Sequence, residues 1–209
     1  MGDVFAAEFR RVENSEHLGK PALVAVAIRT YDTTVEDLWD AITTPARLAR
    51  WFLPVDGDLV LGGRYQLEGN ASGSITRCES PEALDLTWEI MGGTSWVNLR
   101  LAPDGDQARL TLEHIAHKDG VGAEHLAQFG PGAVGIGWDL GLNGLERHIA
   151  DPAASFDHEE AEAWTASDEG KAFIRASGQA WGEAHAASGE DADDARAKAE
   201  RTIAFYTGE

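Results

Sequence analysis

Apolar and polar residues alternate between Asp56 and Ala116, most cleanly in the second half of that stretch. Leu84, Leu86, Trp88 and Ile90 share one side of a period-two pattern, as do Val97, Leu99 and Leu101, and as do Leu110, Leu112 and His114. Asp85, Thr87 and Glu89 lie opposite the first group, Asn98 and Arg100 opposite the second, and Arg109, Thr111 and Glu113 opposite the third. The pattern predicts strands with one covered face and one wet face. Turn residues such as Gly62-Gly63, Ser80-Pro81, Gly92-Gly93 and Asp104-Gly105 punctuate it at roughly 8–12-residue intervals, the spacing of an antiparallel meander. The predicted strands are 58–61, 64–69, 73–79, 83–90, 95–102 and 107–116. Around Cys78 no side of the alternation is apolar, which predicts a bulge or an edge position.

Upstream, Glu8 to Val12 reads as a short strand, Asn14, Ser15 and Gly19 as a polar turn, and the β-branched run Ala22 to Thr30 as a second strand. Thr33 or Thr34 can cap a helix whose apolar stripe is Val35, Leu38, Trp39 and Ile42, and Pro45 opens a second short helix reaching Phe52. Downstream, a loop from His117 to Phe129 leads to a long amphipathic helix, Gly130 to Ala150, with Val134, Trp138, Leu142, Leu145 and Ile149 on one stripe. Beside that stripe runs a second row, Gly137, Gly141, Gly144 and His148. Each glycine costs a helix about 1 kcal/mol relative to alanine, so the row predicts close approach of another backbone or a ligand, or tight core packing. Beyond Pro152 the chain turns to alanine and acidic residues, with Trp164, Phe173, Ile174, Trp181 and His185 among helix formers, an acidic turn at 189–194 and a last helix from Ala195 to Tyr206.

Charge narrows the partners. The 209 residues carry 36 acidic and 17 basic side chains, a net charge of -19, which disfavours nucleic acid and anionic membrane surfaces. Cys78 is the only cysteine, so an intramolecular disulfide and a thiolate metal cluster are excluded. The first ten residues carry charges and lack an apolar core, which argues against a signal peptide, and no apolar run approaches the roughly 20 residues of a membrane span. The expected location is the cytoplasm.

The order of strand, two short helices, antiparallel meander and long closing helix resembles the START-like, helix-grip superfamily also called SRPBCC. Within it the chain resembles the homologues of the ATPase activator of the ninety-kilodalton heat-shock protein. The match is carried by residues 29–54, by 61–69 with their double glycine, by the strand 83–89, by Thr111 to His114 and by the glycine-rich helix start at 130–145. The tail, with its segments 180–185 and 201–209, is similar to extensions of actinobacterial members. The resemblance implies an α+β fold, a curved antiparallel sheet of six to seven strands wrapped around the long helix, with residues 1–150 as the helix-grip domain and 151–209 as a helical extension. It carries no universal catalytic motif and implies no cofactor.

On that fold the covered face and the helix enclose a cavity, or fill it as core. The cavity residues expected are Tyr65, Leu67, Trp88 and His114 from the sheet and Trp138 and Leu142 from the helix, with Trp51 and Phe52 near the mouth. His114 is read either as a satisfied core histidine or as a proton acceptor or ligand anchor of depressed basicity. Glu113, His114, His117 and His125 are close in sequence, but Glu113 and His114 face opposite ways and no metal-ligand spacing is matched. No serine has a nucleophile-elbow context, and Arg77 faces away from Cys78. The leading expectation is non-catalytic binding of a small apolar or aromatic molecule. The alternatives are a cyclase of polyketide type, with His114, alone or with Tyr65 or Arg77, moving protons, and a co-chaperone-like interaction module. Should Trp164, Trp181 and Tyr206 stand exposed, a homodimer through the extension follows.

Overall fold

A computed structural model describes residues 9–153 and 158–209. The expected strand start at Glu8 lies outside the described residues. Strands β1 (Phe9–His17), β2 (Lys20–Tyr31), β3 (Val55–Gly57), β4 (Arg64–Leu67), β5 (Ser72–Glu79), β6 (Ala83–Ile90), β7 (Gly93–Asp104) and β8 (Gln107–His117) form one sheet. Its order is β1-β2-β8-β7-β6-β5-β4-β3, and each neighbouring pair is antiparallel. The resemblance implied a sheet of six to seven strands, and the described residues form eight. The three-residue β3 stands in place of the strand expected at 58–61.

Several boundaries differ from expectation. Asn14 and Ser15 are not a turn: β1 runs on to His17, because Leu18 and Gly19, at φ 49° and 76°, close the hairpin in two residues. Residues 58–61 are not a strand. Gly57 and Gly63 cross so closely that a Cβ on either would lie 2.2 Å from the Arg64 carbonyl oxygen or 2.0 Å from that of Asp58, and the chain folds back between them. The register slip around Ile75 and Arg77 on β5 supplies the irregularity expected near Cys78. Nor is the outer face of the sheet wet throughout. Ala22, Val24 and Val26 of β2 form a small cluster there with Ile115, so β2 is buried on both faces.

Between β2 and β3 lie α1 (Val35–Thr43) and α2 (Pro45–Leu48). Thr34 caps α1 by accepting from the Asp37 N–H at 3.2 Å. Helix α2 ends four residues short of Phe52, so Trp51 and Phe52 sit in a turn and not on a helix. The stretch expected as a loop before the long helix contains α3 (Ala123–Phe129). The long helix, α4 (Gly132–Ala150), crosses the concave face of the sheet, where Leu142 and Leu145 pack with Leu38, Tyr31, Leu101 and Leu110.

Helices α5 (His158–Ala166), α6 (Asp168–Ala187) and α7 (Ala192–Thr207) follow. Helix α6 covers the side of α4 turned away from the sheet and reaches β1. Gly135 makes this possible: a Cβ there would sit 2.3 Å from the ring of Trp181, which is buried. At the contact, Asp139 of α4 accepts from Arg10 Nε–H at 2.9 Å, from Trp181 Nε1–H at 3.1 Å and from the Ser177 hydroxyl. Tyr206 donates its hydroxyl proton to the Ala133 carbonyl at 2.9 Å, and Trp164 lies under the Arg147 guanidinium and meets Phe173 edge-on. The condition for a dimer through these aromatics is therefore not met, since all three pack on their own chain. Among the described residues no helix is long and apolar enough to cross a membrane.

Candidate functional site

The concave face of the sheet does not pack flush on α4. A cavity of about 360 Å³ remains between β4 to β8, α1, the turn after α2 and the middle of α4. Its walls include Trp51, Phe52, Tyr65, Leu67, Trp88, Trp138 and Leu142, seven of the eight residues expected at the site. Leu59, Ile75 and Trp39 line it as well. Leu59 lies in the folded-back segment and Ile75 beside the slipped register, where strict alternation gives no face.

Local sequence explains how each wall is delivered. Arg47 donates to Asp37 Oδ1 at 2.7 Å, to Asp40 Oδ2 at 3.0 Å and to His148 Nε2 at 3.2 Å, fastening α2 to both α1 and α4. The turn that follows then carries Trp51 and Phe52 against α4. Gly144 admits it, because a Cβ at 144 would lie 2.6 Å from the Trp51 carbonyl oxygen. Gly141 faces the Phe52 ring at ordinary contact distance, whereas Gly137 faces the Tyr206 hydroxyl and not the cavity. His148, the last member of that row, meets Arg47; burial first, then the nearby arginines, hold its pKa down. On the sheet side, Tyr65 reaches across β5 over Gly73 and donates to the Thr87 carbonyl at 2.8 Å. Burial pushes its phenol pKa up.

The aromatic walls are continuous. Trp51 and Phe52 rings lie 5.4 Å apart, Phe52 stacks on Trp138 at 6.0 Å, and Trp138 meets Trp88 edge-on at 5.1 Å. Trp88 in turn lies 6.5 Å from Tyr65.

His114 is the exception to the expected set. It does not line this cavity but a second one, of about 630 Å³, on the other side of Trp88. Alternation places His114 on the covered face correctly, yet β8 passes beyond the partition before reaching it. Its ring is fully engaged. Trp138 Nε1–H donates to Nδ1 at 2.9 Å, and since an indole can only donate, Nδ1 must be the unprotonated nitrogen. Nε2 therefore carries the proton and donates to Ser95 Oγ at 2.9 Å, while the Ser95 hydroxyl donates to the Trp88 carbonyl at 3.2 Å. Burial lowers its pKa to about 4.

In this arrangement both ring nitrogens of His114 are taken up by protein partners. A base that activates Ser95 would need a bare Nε2, and Trp138 enforces the opposite tautomer. The other proposed proton carriers are not assembled with it. Tyr65 lines the first cavity, and Arg77 pairs with Glu79. Glu113 accepts from Asn98, and among the described residues no three His, Cys, Asp or Glu side chains are placed to hold a metal ion. What remains is an apolar, aromatic-walled chamber in which Tyr65 and Trp51 bond to backbone carbonyls.

The family model for activator of Hsp90 ATPase homolog 1-like protein matches residues 32–150. The solution structure of CalU16 from Micromonospora echinospora is similar to this chain at 31% identity, covering 90% of this chain and 100% of that one with a TM-score of 0.67. Its crystal structure gives 33% identity over 79% and 97% of the two chains, TM-score 0.58. MLL2253 from Mesorhizobium loti, at 20% identity, covers 63% of this chain and 98% of its own with a TM-score of 0.51, a likeness of fold. No protein with a curated description matches.

Proposed function

The chain belongs to the family of activator of Hsp90 ATPase homolog 1-like proteins, and from that premise we propose that it binds a small apolar or aromatic molecule between sheet and α4 without catalysing its conversion. The observation that carries this reading is the 360 Å³ cavity walled by Trp51, Phe52, Trp88 and Trp138. Its volume falls in the range of roughly 300–1,000 Å³ used by small-molecule sites, and aromatic faces favour a flat ligand by stacking. Trp51, Phe52, Tyr65, Leu67, Trp88, Trp138 and Leu142 are the contact residues in this proposal. His114 acts one step removed, by holding Trp138. Residues 1–150 form the binding unit, and 151–209 brace it from outside.

The cyclase reading is disfavoured by the tautomer of His114. A ligand in the first cavity meets no free base, since the Tyr65 hydroxyl is itself a donor to Thr87.

A panel of uncharged aromatic molecules titrated against tryptophan emission tests the proposal. Saturable quenching that weakens on Trp138→Phe substitution is expected. No saturable binding by any member of the panel would overturn it.

A further inference from the structure

The larger cavity lies behind the Trp88 and Trp138 rings, about 630 Å³ between the β2, β6, β7 and β8 ends, α3 and the start of α4. We propose that it is a second ligand site, separate from the first, for an uncharged, flat apolar molecule. Three observations carry this.

The first is separation. Trp88 borders both cavities, and Trp138 stands against it at 5.1 Å with its indole pinned to His114. The partition is held by a part-buried hydrogen bond and not by packing alone. A molecule in one chamber therefore does not extend into the other without breaking that bond.

The second is the chemistry inside. Leu23, Ala25, Leu126 and Val134 supply apolar wall, His114 and Ser95 are neutral and bonded to each other, half-buried His117 is bonded through Nε2 to the His17 carbonyl at 2.9 Å, and His125 stands exposed at the edge. The bordering ions Lys20 and Asp119 are exposed and 3.8 Å apart, so they offset one another outside the interior. An ionised group buried here would have no counter-charge and would lose its hydration, which restricts the occupant to uncharged molecules.

The third is the rim. Ile90, Met91 and Val121 border this cavity and are 45%, 95% and 69% exposed. Single exposed apolar residues are ordinary, but three around one opening form a patch. Met91 also holds φ 51°, a region in which glycine or asparagine is usual, so turn geometry alone does not select it. Its flexible thioether suits contact with a flat apolar surface.

Nile red, an uncharged polycyclic dye, serves as the probe. Met91 is one of two methionines, the other being Met1, so carbon-13 methyl labelling places a reporter at the rim of wild-type protein. Dye titration should shift the Met91 methyl resonance saturably, and calorimetry should count a site that Val134→Trp weakens at least tenfold while Leu67→Trp, in the other chamber, does not. Ala25→Phe fills the same chamber from the sheet side and should reproduce the Val134→Trp result. An unmoved Met91 methyl would overturn the proposal, as would loss of all dye binding in both single variants, Val134→Trp and Leu67→Trp, which would mean one continuous cavity. Dye lost only with Leu67→Trp leaves the first chamber as a site and rejects the second; dye lost only with Val134→Trp does the reverse.

Discussion

Trp138 on α4 donates its indole N–H to Nδ1 of His114 on β8 at 2.9 Å, across the space the helix is lifted over. One bond thereby sets the tautomer of a buried histidine, the orientation of an aromatic wall and the boundary between two cavities. Neither residue's role is readable apart from the other.

Burial of the same histidine gives stability a pH dependence. His114 titrates near 6.5 when unfolded and at about 4 when folded, so below pH 6.5 the unfolded chain binds a proton that the native one refuses. Stability is full above pH 6.5 and falls as pH drops toward 4. Between pH 7 and 5 the expected loss from this residue is about 2 kcal/mol. His17, His148 and His185 are also lowered by burial and act in the same direction. Denaturant unfolding of wild type and His114→Gln at both pH values isolates the share of His114; an unchanged difference between the two pH values would contradict the assignment.

The glycines of α4 are not equivalent. Gly141→Ala meets only the Phe52 ring at 3.5 Å, so it should leave stability unchanged or raise it by up to about 1 kcal/mol through helix propensity, while narrowing the first chamber. Gly144→Ala places a methyl 2.6 Å from the Trp51 carbonyl oxygen and should cost about 1–3 kcal/mol. Thermal melts of the two variants check the contrast, and equal effects would contradict it.

Arg10 and Asp139 form a pair whose carboxylate is wholly buried. Burial raises the Asp139 pKa, and Arg10 foremost, with Ser177 and Trp181, opposes that rise. Arg10→Met leaves the carboxyl without its counter-charge and should destabilise by about 3 kcal/mol, whereas replacing both partners with apolar residues should recover much of the loss. A double-mutant cycle by urea unfolding decides this.

Trp181 is 1% exposed and packs over Gly135 while donating to Asp139. Trp181→Ala should cost about 3–5 kcal/mol. A change below about 1 kcal/mol would show that the extension adds little to the fold, contrary to its packing.

Much of this architecture is legible in the chain. The period-two pattern from Leu84 to His114 marks the concave face, and the wall residues Tyr65, Leu67, Trp88, Trp138 and Leu142 follow from it and from the α4 stripe. Three kinds of information are not local. Whether α4 packs flush or leaves room depends on the turn carrying Trp51 and Phe52, which the expected second helix obscured. Which cavity His114 enters depends on how far β8 runs past the partition, a matter of tertiary reach and not of alternation. Asp139 and Gly135 gave no signal as the docking point for α6, because their partners Arg10 and Trp181 lie 129 and 42 residues away from Asp139 along the chain.

The central claim is that the chamber beneath Trp51 and Phe52 binds a small apolar molecule. Native mass spectrometry of wild type and Leu67→Trp, purified in parallel from the source organism and followed by identification of any released compound, tests it most directly. An uncharged apolar or aromatic molecule should co-purify with wild type and be absent from the filled variant. A molecule retained equally by both, or wild type that carries nothing and takes up nothing from an extract of apolar metabolites, would contradict it.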